Sequence, residues 1–388
     1  MIASPMLIAL AAGVLLLQPP AIEQPPRLRT LLQNGSVCLV EPHFESPTIY
    51  IDLVASSCGA EDTPEHSGWR HLLEHLLVKG RDGKLDSKLE AVGGFLRAET
   101  YRDAMSVEIE VPPDQLDLGL SAVEELLREP VFSDDAIARE TKVVDAELRL
   151  KSDEVRLADA GWAAYFGAAG LPPSGATDTI KKATAADLSE LYLQHFQSGN
   201  LALVISGPVD LQSGTKAATH LLSRLPGTPN KAKFLPRIAK ASKFPQASAT
   251  GQAICASVPA YDSPEAAGSM AAMLAIAADQ KDCFFLYTPS VRSAVMTLGS
   301  VTSDDLLEAK RKLEPNSLDY SFGRWLSKSW VHRQMSTLRQ ATFLRALLLA
   351  QSASASPERI EQGIDDLTPA QFQASARALT QALEVRGR

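Results

Sequence analysis

The sequence predicts an α+β protein built from two related units, and three observations carry that prediction. At 388 residues the chain is long for one core and comfortable for two domains of ordinary size. Segments that alternate apolar and polar residues are interleaved with longer segments of helical period. Near the middle, residues 229–247 are rich in Lys, Pro, Ala and Ser with no sustained period, which is a linker composition. Beyond that break the strand-then-helix order restarts, so the second half weakly repeats the first.

Composition narrows the class further. An apolar fraction of 45% and a charged fraction of 22% belong to a globular protein. A net charge of −8 without a long run of either sign disfavours a nucleic-acid partner. Residues 1–22 contain an apolar run from Met6 to Leu17, too short to span a bilayer securely and the right length for a signal peptide. Export to the periplasm or beyond is therefore expected, with no membrane association after cleavage. An uncleaved anchor is the alternative, because the usual positive leading region is missing. Cys38, Cys58, Cys255 and Cys283 are two to each half. They are either buried thiols or a disulfide within each half, and none has the spacing of a cysteine zinc site.

The elements follow in order. SVCLVEP and TIYIDLVAS read as strands around a turn-like HFESP, and GWRHLLEHLLVKG follows in helical form. KLDSKLEAVGG is a short helix stopped by Gly93 and Gly94. SVEIEVP is a strand, and QLDLGLSAVEELLREP a helix ended by Pro130. Ser133 has the chemistry of a cap for a helix over DDAIARETKVVDAELRL, with acidic residues in its first turn. ATAADLSELYLQHF is a further amphipathic helix, and NLALVISGPVD a strand with a turn. In the second half a strand is expected over Thr250 to Val258. Helices are expected in SPEAAGSMAAMLAIAA, TSDDLLEAKRKL, SFGRWLSKSW, the Leu-rich stretch near Leu347 and TPAQFQASARALTQAL.

One stretch carries chemistry. On a helix, residues i and i+4 lie on the same face, so His71 and His75 can turn two imidazoles toward one ion, with Glu74 flanking them. The HxxEH order is the inverse of the HExxH zinc-peptidase motif. A zinc ion needs three or four ligands, so a third must come from elsewhere. The helix RETKVVDAE offers Glu140 and Glu147, two turns apart on one face, with Val143 and Val144 suggesting that the face is partly buried. His195, in LYLQHF, reads as a core histidine, and His43, His66, His220 and His332 have no partner at ligand spacing; His66 is assigned to the loop entering the motif helix.

These residues carry a family resemblance. ASSCGAEDTPEHSGWRHLLEHLLVKG resembles the inverted-zinc-motif region of the insulinase family, which includes pitrilysin and mitochondrial processing peptidase. GGFLRAETYRD, FSDDAIARETKVVDAEL and GLPPSGATDTIKKATAADLSELYLQHFQSGNLALVISGPVD continue the likeness in the same order, over about residues 30 to 212 and more faintly to the end. The resemblance is to the short bacterial two-domain form. It implies two related α+β domains, each a mostly antiparallel sheet with helices packed on it. The N-terminal catalytic domain would be 28–228 and a shortened related domain 248–388.

Carried over residue by residue, the resemblance implies a zinc metalloendopeptidase with one zinc per chain. His71, His75 and Glu147 would be ligands, Glu140 the residue that orients a ligand histidine, and Glu74 the general base. The strand FLRAET would receive a peptide substrate along its edge. There Arg97 and Ala98 stand where the family has Asn and Ala, and Arg97 could select an acidic substrate residue. The Arg and Tyr that family members supply from the second half have no match after MAAMLAIAADQ; Tyr287 and Arg292 stand in the wrong order. A second family subunit, in a hetero- or homodimer, is therefore expected to complete the site. The alternatives are a non-catalytic subunit of the same fold and an unrelated periplasmic binding protein.

Overall fold

The computed structural model describes residues 26–57, 62–167, 170–225, 227, 249–259, 263–278, 283–288, 294–300, 318–379 and 382–387. The signal-peptide segment, the whole of the 229–247 linker and the helix expected in TSDDLLEAKRKL lie outside them.

The first half builds a six-stranded sheet. Its strands are β1 (Leu28–Leu31), β2 (Val37–Pro42), β3 (Ile49–Ser56), β4 (Phe95–Thr100), β5 (Ala104–Val111) and β6 (Leu201–Gly207), in the order β1-β2-β6-β3-β5-β4. Every neighbouring pair is antiparallel except β2 with β6. Its helices are α1 (Trp69–Lys79), α2 (Leu85–Glu90), α3 (Leu116–Leu126), α4 (Asp134–Arg149), α5 (Asp153–Phe166), the single turn α6 (Thr177–Ile180), α7 (Ala185–His195) and α8 (Leu211–Ser223).

The second half contributes the antiparallel sheet β10-β7-β9-β8, from β7 (Gln252–Val258), β8 (Cys283–Thr288), β9 (Ala294–Ser300) and β10 (Leu383–Arg386). Among the described residues its helices are α9 (Pro264–Ala278), α10 (Tyr320–Gln334), α11 (Leu338–Gln351), α12 (Pro357–Asp365) and α13 (Pro369–Leu379). The α+β architecture matches the expectation. β1, α5, β8, β9, α12 and β10 are elements that periodicity did not single out.

The large sheet is buried on both faces, which explains why β2, β3, β5 and β6 are almost continuously buried. Alternation sends Val40, Ile51, Leu53, Val107 and Leu203 to the face covered by α1, α3, α7 and α8. It sends Val37, Leu39, Val54, Ala202 and Val204 to the opposite face, against Ala346, Leu347, Leu349 and Ala350 of α11. The two halves thus exchange helices. α11, from the second half, lies on β3 and β6, while α5, from the first, lies on β7, β9 and β10. Leu157, Trp162, Ala164 and Phe166 of α5 form a small core with Ala253, Cys255 and Val385. Gly161 permits that close approach: a Cβ there would stand 2.9 Å from Cys255 Cβ and nearer still to its Sγ.

Cys38 and Cys255 are buried free thiols, against Thr219 and Thr297, and burial pushes the Cys255 thiol up to about 12. No helix among the described residues is long and apolar enough to cross a membrane.

Candidate metal centre

α1 begins at Gly68, whose φ of +88° is the left-handed region that favours glycine, and stops at Gly80, with φ of +67°. Leu72, Leu73, Leu76 and Leu77 are buried and fasten the helix to the core, at roughly 1.5–3 kcal/mol per fully buried leucine. Arg70, 1% exposed, locks its first turn: it donates to both carboxylate oxygens of Asp62 at 2.9–3.1 Å, to Ser57 Oγ at 3.0 Å and to the Tyr101 carbonyl at 2.9 Å. His66 stacks on Trp69 just ahead of the helix. With the leucine face inward, His71 and His75 emerge together toward α4.

α4 starts where Ser133 Oγ accepts from the Ala136 amide at 3.2 Å, and Ile137 and Val144 bury its inner face. Val143 does not share that burial; it is 44% exposed at the cavity rim. Glu140 and Glu147 both reach the histidines. Glu147 Oε2 lies 3.3 Å from His71 Nε2 and 3.3 Å from His75 Nε2, and the two Nε2 atoms are 3.2 Å apart. Glu140 Oε2 lies 3.5 Å from His75 Nδ1.

That triangle can be tested against a metal. Ligands about 2.0–2.1 Å from a tetrahedral zinc stand about 3.3–3.4 Å from one another. The observed edges of 3.2 to 3.3 Å match, so His71, His75 and Glu147 fit a zinc ion. Glu74 is a third carboxylate near the imidazoles, within 4.8 Å of both. It is turned inward, 7% exposed, and accepts from Thr100 Oγ1 at 3.2 Å. Burial pushes its carboxyl up to about 8, with Glu147 and Glu99 adding to the rise and the Thr100 hydrogen bond opposing it. Burial, then the neighbouring His75, holds His71 below the usual histidine range. By edge length Glu147 stands in the triangle with the two histidines, and Glu74 lies beside it.

The other nitrogen of each histidine meets an oxygen, the arrangement that fixes ring orientation in metal sites. For His75 it is Glu140. For His71 it is the Ser174 carbonyl, 3.4 Å from Nδ1. The Ser174 loop is seated by two glycines: Gly175, with φ of +73°, packs against Gly68, where a Cβ would come within 2.8 Å of Gly175 Cα. Sequence reasoning missed Ser174, Thr100, Lys151 and Asp159, all on the wall of the 620 Å³ cavity around the cluster. The Pro172–Pro173–Ser174–Gly175 turn signal was visible, but no local pattern ties it to His71.

On the substrate side, β4 is the edge strand of its sheet, and Ala98, Glu99 and Thr100 line the cavity. Arg97, expected to meet substrate, is absent from that lining. Its register partner on β5 is Glu108, and its guanidinium is committed to Glu108 at 2.8 Å and to Glu110, with Arg339 of α11 on Glu108 as well. The period-2 pleat explains the correction: Arg97 points to the α11 face while Leu96 and Ala98 pack toward the helices that carry the cluster. His195 is 3% exposed, and burial holds it down at about 3, as a core histidine requires. Arg292 lies outside the described residues.

Residues 42–163 match the family model described as insulinase (peptidase family M16). The chain is 31% identical over 185 residues to coenzyme PQQ synthesis protein F of Pseudomonas aeruginosa, covering 44% of this chain and 24% of that protein. It is 25% identical over 217 residues to an uncharacterized zinc protease of Rickettsia felis, covering 53% and 52%. With the mitochondrial-processing peptidase subunit beta of Blastocladiella emersonii the identity is 27% over 214 residues, covering 53% and 46%. The chain thus spans between a quarter and about half of the length of these curated relatives.

Among solved structures, a protease from Helicobacter pylori has a TM-score of 0.76 at 18% identity, covering 94% of this chain and 100% of that one. A peptidase M16 inactive domain from Pseudomonas fluorescens has a TM-score of 0.76 at 14% identity, covering 93% and 98%. The two-unit fold is therefore shared along nearly the whole chain. The family match spans both helices of the His–Glu cluster, so the part of the chain that carries the cluster is similar to the insulinase family, peptidase family M16.

Proposed function

We propose that this chain is a zinc metalloendopeptidase acting on peptides or unfolded segments. The observation that carries the reading is the ligand triangle of His71, His75 and Glu147 with the buried Glu74 beside it. A zinc ion held there would polarise a peptide carbonyl and make water a usable nucleophile near neutral pH. Glu74 would take the proton from the attacking water and return it to the leaving amine. Thr100 fixes that carboxylate, Glu140 and the Ser174 carbonyl hold the imidazoles, and the free edge of β4 would take a peptide as an added strand through main-chain hydrogen bonds.

The test is metal analysis with a paired variant. One zinc per chain should copurify, and Glu74→Gln should keep the metal while hydrolysis of an unfolded peptide falls by about a hundredfold or more. Unchanged hydrolysis with zinc retained would overturn the mechanism.

We also propose that the chain works with a second family subunit carrying substrate-holding Arg and Tyr residues. The expected result is a purified chain that binds zinc yet cleaves poorly until the partner is added. Full activity of the isolated monomer would contradict this. A second reading, a non-catalytic scaffold subunit, is favoured by the fold likeness to a domain described as inactive. It predicts no hydrolysis under any pairing. Export of the mature chain also belongs to the proposal, and N-terminal sequencing of the protein from a periplasmic fraction tests it.

A further inference from the structure

We propose that Lys151 is a substrate-contacting residue that selects peptides carrying a carboxylate side chain next to the segment held in the metal cavity. The inference rests on the peptide-binding reading above and names its substrate class.

Lys151 stands one turn past Glu147, just beyond the end of α4, and lines the same cavity as His71, Glu74 and Glu147. Its side chain is 19% exposed, and both its ammonium and its backbone are held. The ammonium donates to Asp159 Oδ2 at 2.6 Å, and its backbone carbonyl accepts from Arg156 Nε at 3.2 Å. A lysine so fixed could serve only to neutralise a buried aspartate. Asp159, however, already has a cation: its Oδ1 accepts from Arg102 Nη2 at 2.6 Å. Arg102 is buried, lies 4.4 Å over the Trp162 ring and donates to the Leu171 carbonyl at 3.2 Å. Two cations share this one carboxylate, so Asp159 keeps a charge partner in Arg102 without Lys151. An ammonium also has three donors, and the Asp159 bond uses one.

The rest of the cavity sharpens the contrast. Glu74, Glu99, Glu140 and Glu147 lie on its other walls, and its second lysine, Lys79, is paired with Asp86 at 2.8 Å. A peptide laid along β4 would therefore meet acid on one side and the Lys151 ammonium on the other. Asp159 sits on α5, whose opposite face is packed on β7, β9 and β10, so the position of the ammonium is set by a helix seated on the second sheet. Charge complementarity of this kind discriminates between otherwise equal ligands.

The test reads binding, so that it is independent of turnover. The zinc-loaded full chain carrying Glu74→Gln is titrated with labelled decapeptides in which one Glu is stepped along an uncharged sequence, each against its Gln counterpart. The expected result is about tenfold tighter binding of Glu over Gln peptides at one or two adjacent positions. Adding Lys151→Met should abolish that preference at unchanged zinc content, and Lys151→Arg should keep it. No Glu preference at any position, or one that survives Lys151→Met, overturns the proposal. Failure of the unmodified chain to hydrolyse any peptide would count against the enzymatic reading instead, since this measurement does not involve cleavage.

Discussion

Replacing Gly175 by alanine should weaken the metal site without altering a ligand. Gly175 has φ of +73°, where an L-residue costs about 1–2 kcal/mol. Its α-carbon is also in backbone contact with Gly68, the residue that starts α1. The reciprocal approach is informative: a Cβ on Gly68 would stand 2.8 Å from Gly175 Cα, and one on Gly175 would be closer to Gly68 still. Backbone cannot swing aside as a side chain can, so the Ser174 loop must retreat by about half an ångström or more. The Ser174 carbonyl already stands 3.4 Å from His71 Nδ1, at the outer limit of a useful contact, and such a shift would lose it. Loss of an outer partner typically costs about 10–100-fold in metal affinity. The assay is zinc competition against a chromophoric chelator, alongside thermal unfolding of the zinc-free chain. We expect at least a tenfold weaker zinc Kd and a lower Tm. A folded variant with zinc affinity within twofold of the parent would refute the claim that this loop orients His71.

Three further outcomes are expected. Glu147→Ala should abolish stoichiometric zinc binding while Glu140→Ala weakens it about 10–100-fold, as chelator competition would report; equal effects would mean that the two carboxylates have been given the wrong roles. Gly161→Ala should separate α5 from Cys255 and lower stability by about 1–3 kcal/mol in urea unfolding, and a neutral result would mean that the contact yields easily. His195 is held at about 3 against an ordinary 6.5, so the unfolded chain binds more protons between those values. Stability from this group is complete above pH 6.5 and is lost as pH falls toward 3, at about 1.4 kcal/mol per unit. In the zinc-saturated protein His195→Gln should remove that slope between pH 6.5 and 5, and an unchanged slope would contradict the assignment.

Much of the cluster was legible because its pieces are local. The spacing of His71 and His75 on one helix, and of Glu140 and Glu147 on another, fixes shared faces whatever else the chain does. Ser133 caps its helix as its position suggested, and period-2 alternation located β2, β3, β5 and β6. Other elements were hidden for physical reasons. α5 is buried on one side by the second sheet and turned on the other toward the metal cavity, so its apolar residues do not form a single stripe. β1 and β10 are four-residue strands, too short for a period to declare itself.

By itself the sequence determined which residues could face an ion together, where most helices and strands lie, and which family the chain resembles. Tertiary structure alone decided the rest. It brought α4 across α1 so that three ligand atoms stand 3.2 to 3.3 Å apart, and it set Ser174 against His71 across a gap of 103 residues. It turned Arg97 away from the cavity and Lys151 into it, and it made β4 an edge. The division has one cause. Backbone periodicity dictates faces over a few residues, whereas contacts between distant segments depend on how whole elements pack, and no local pattern records that.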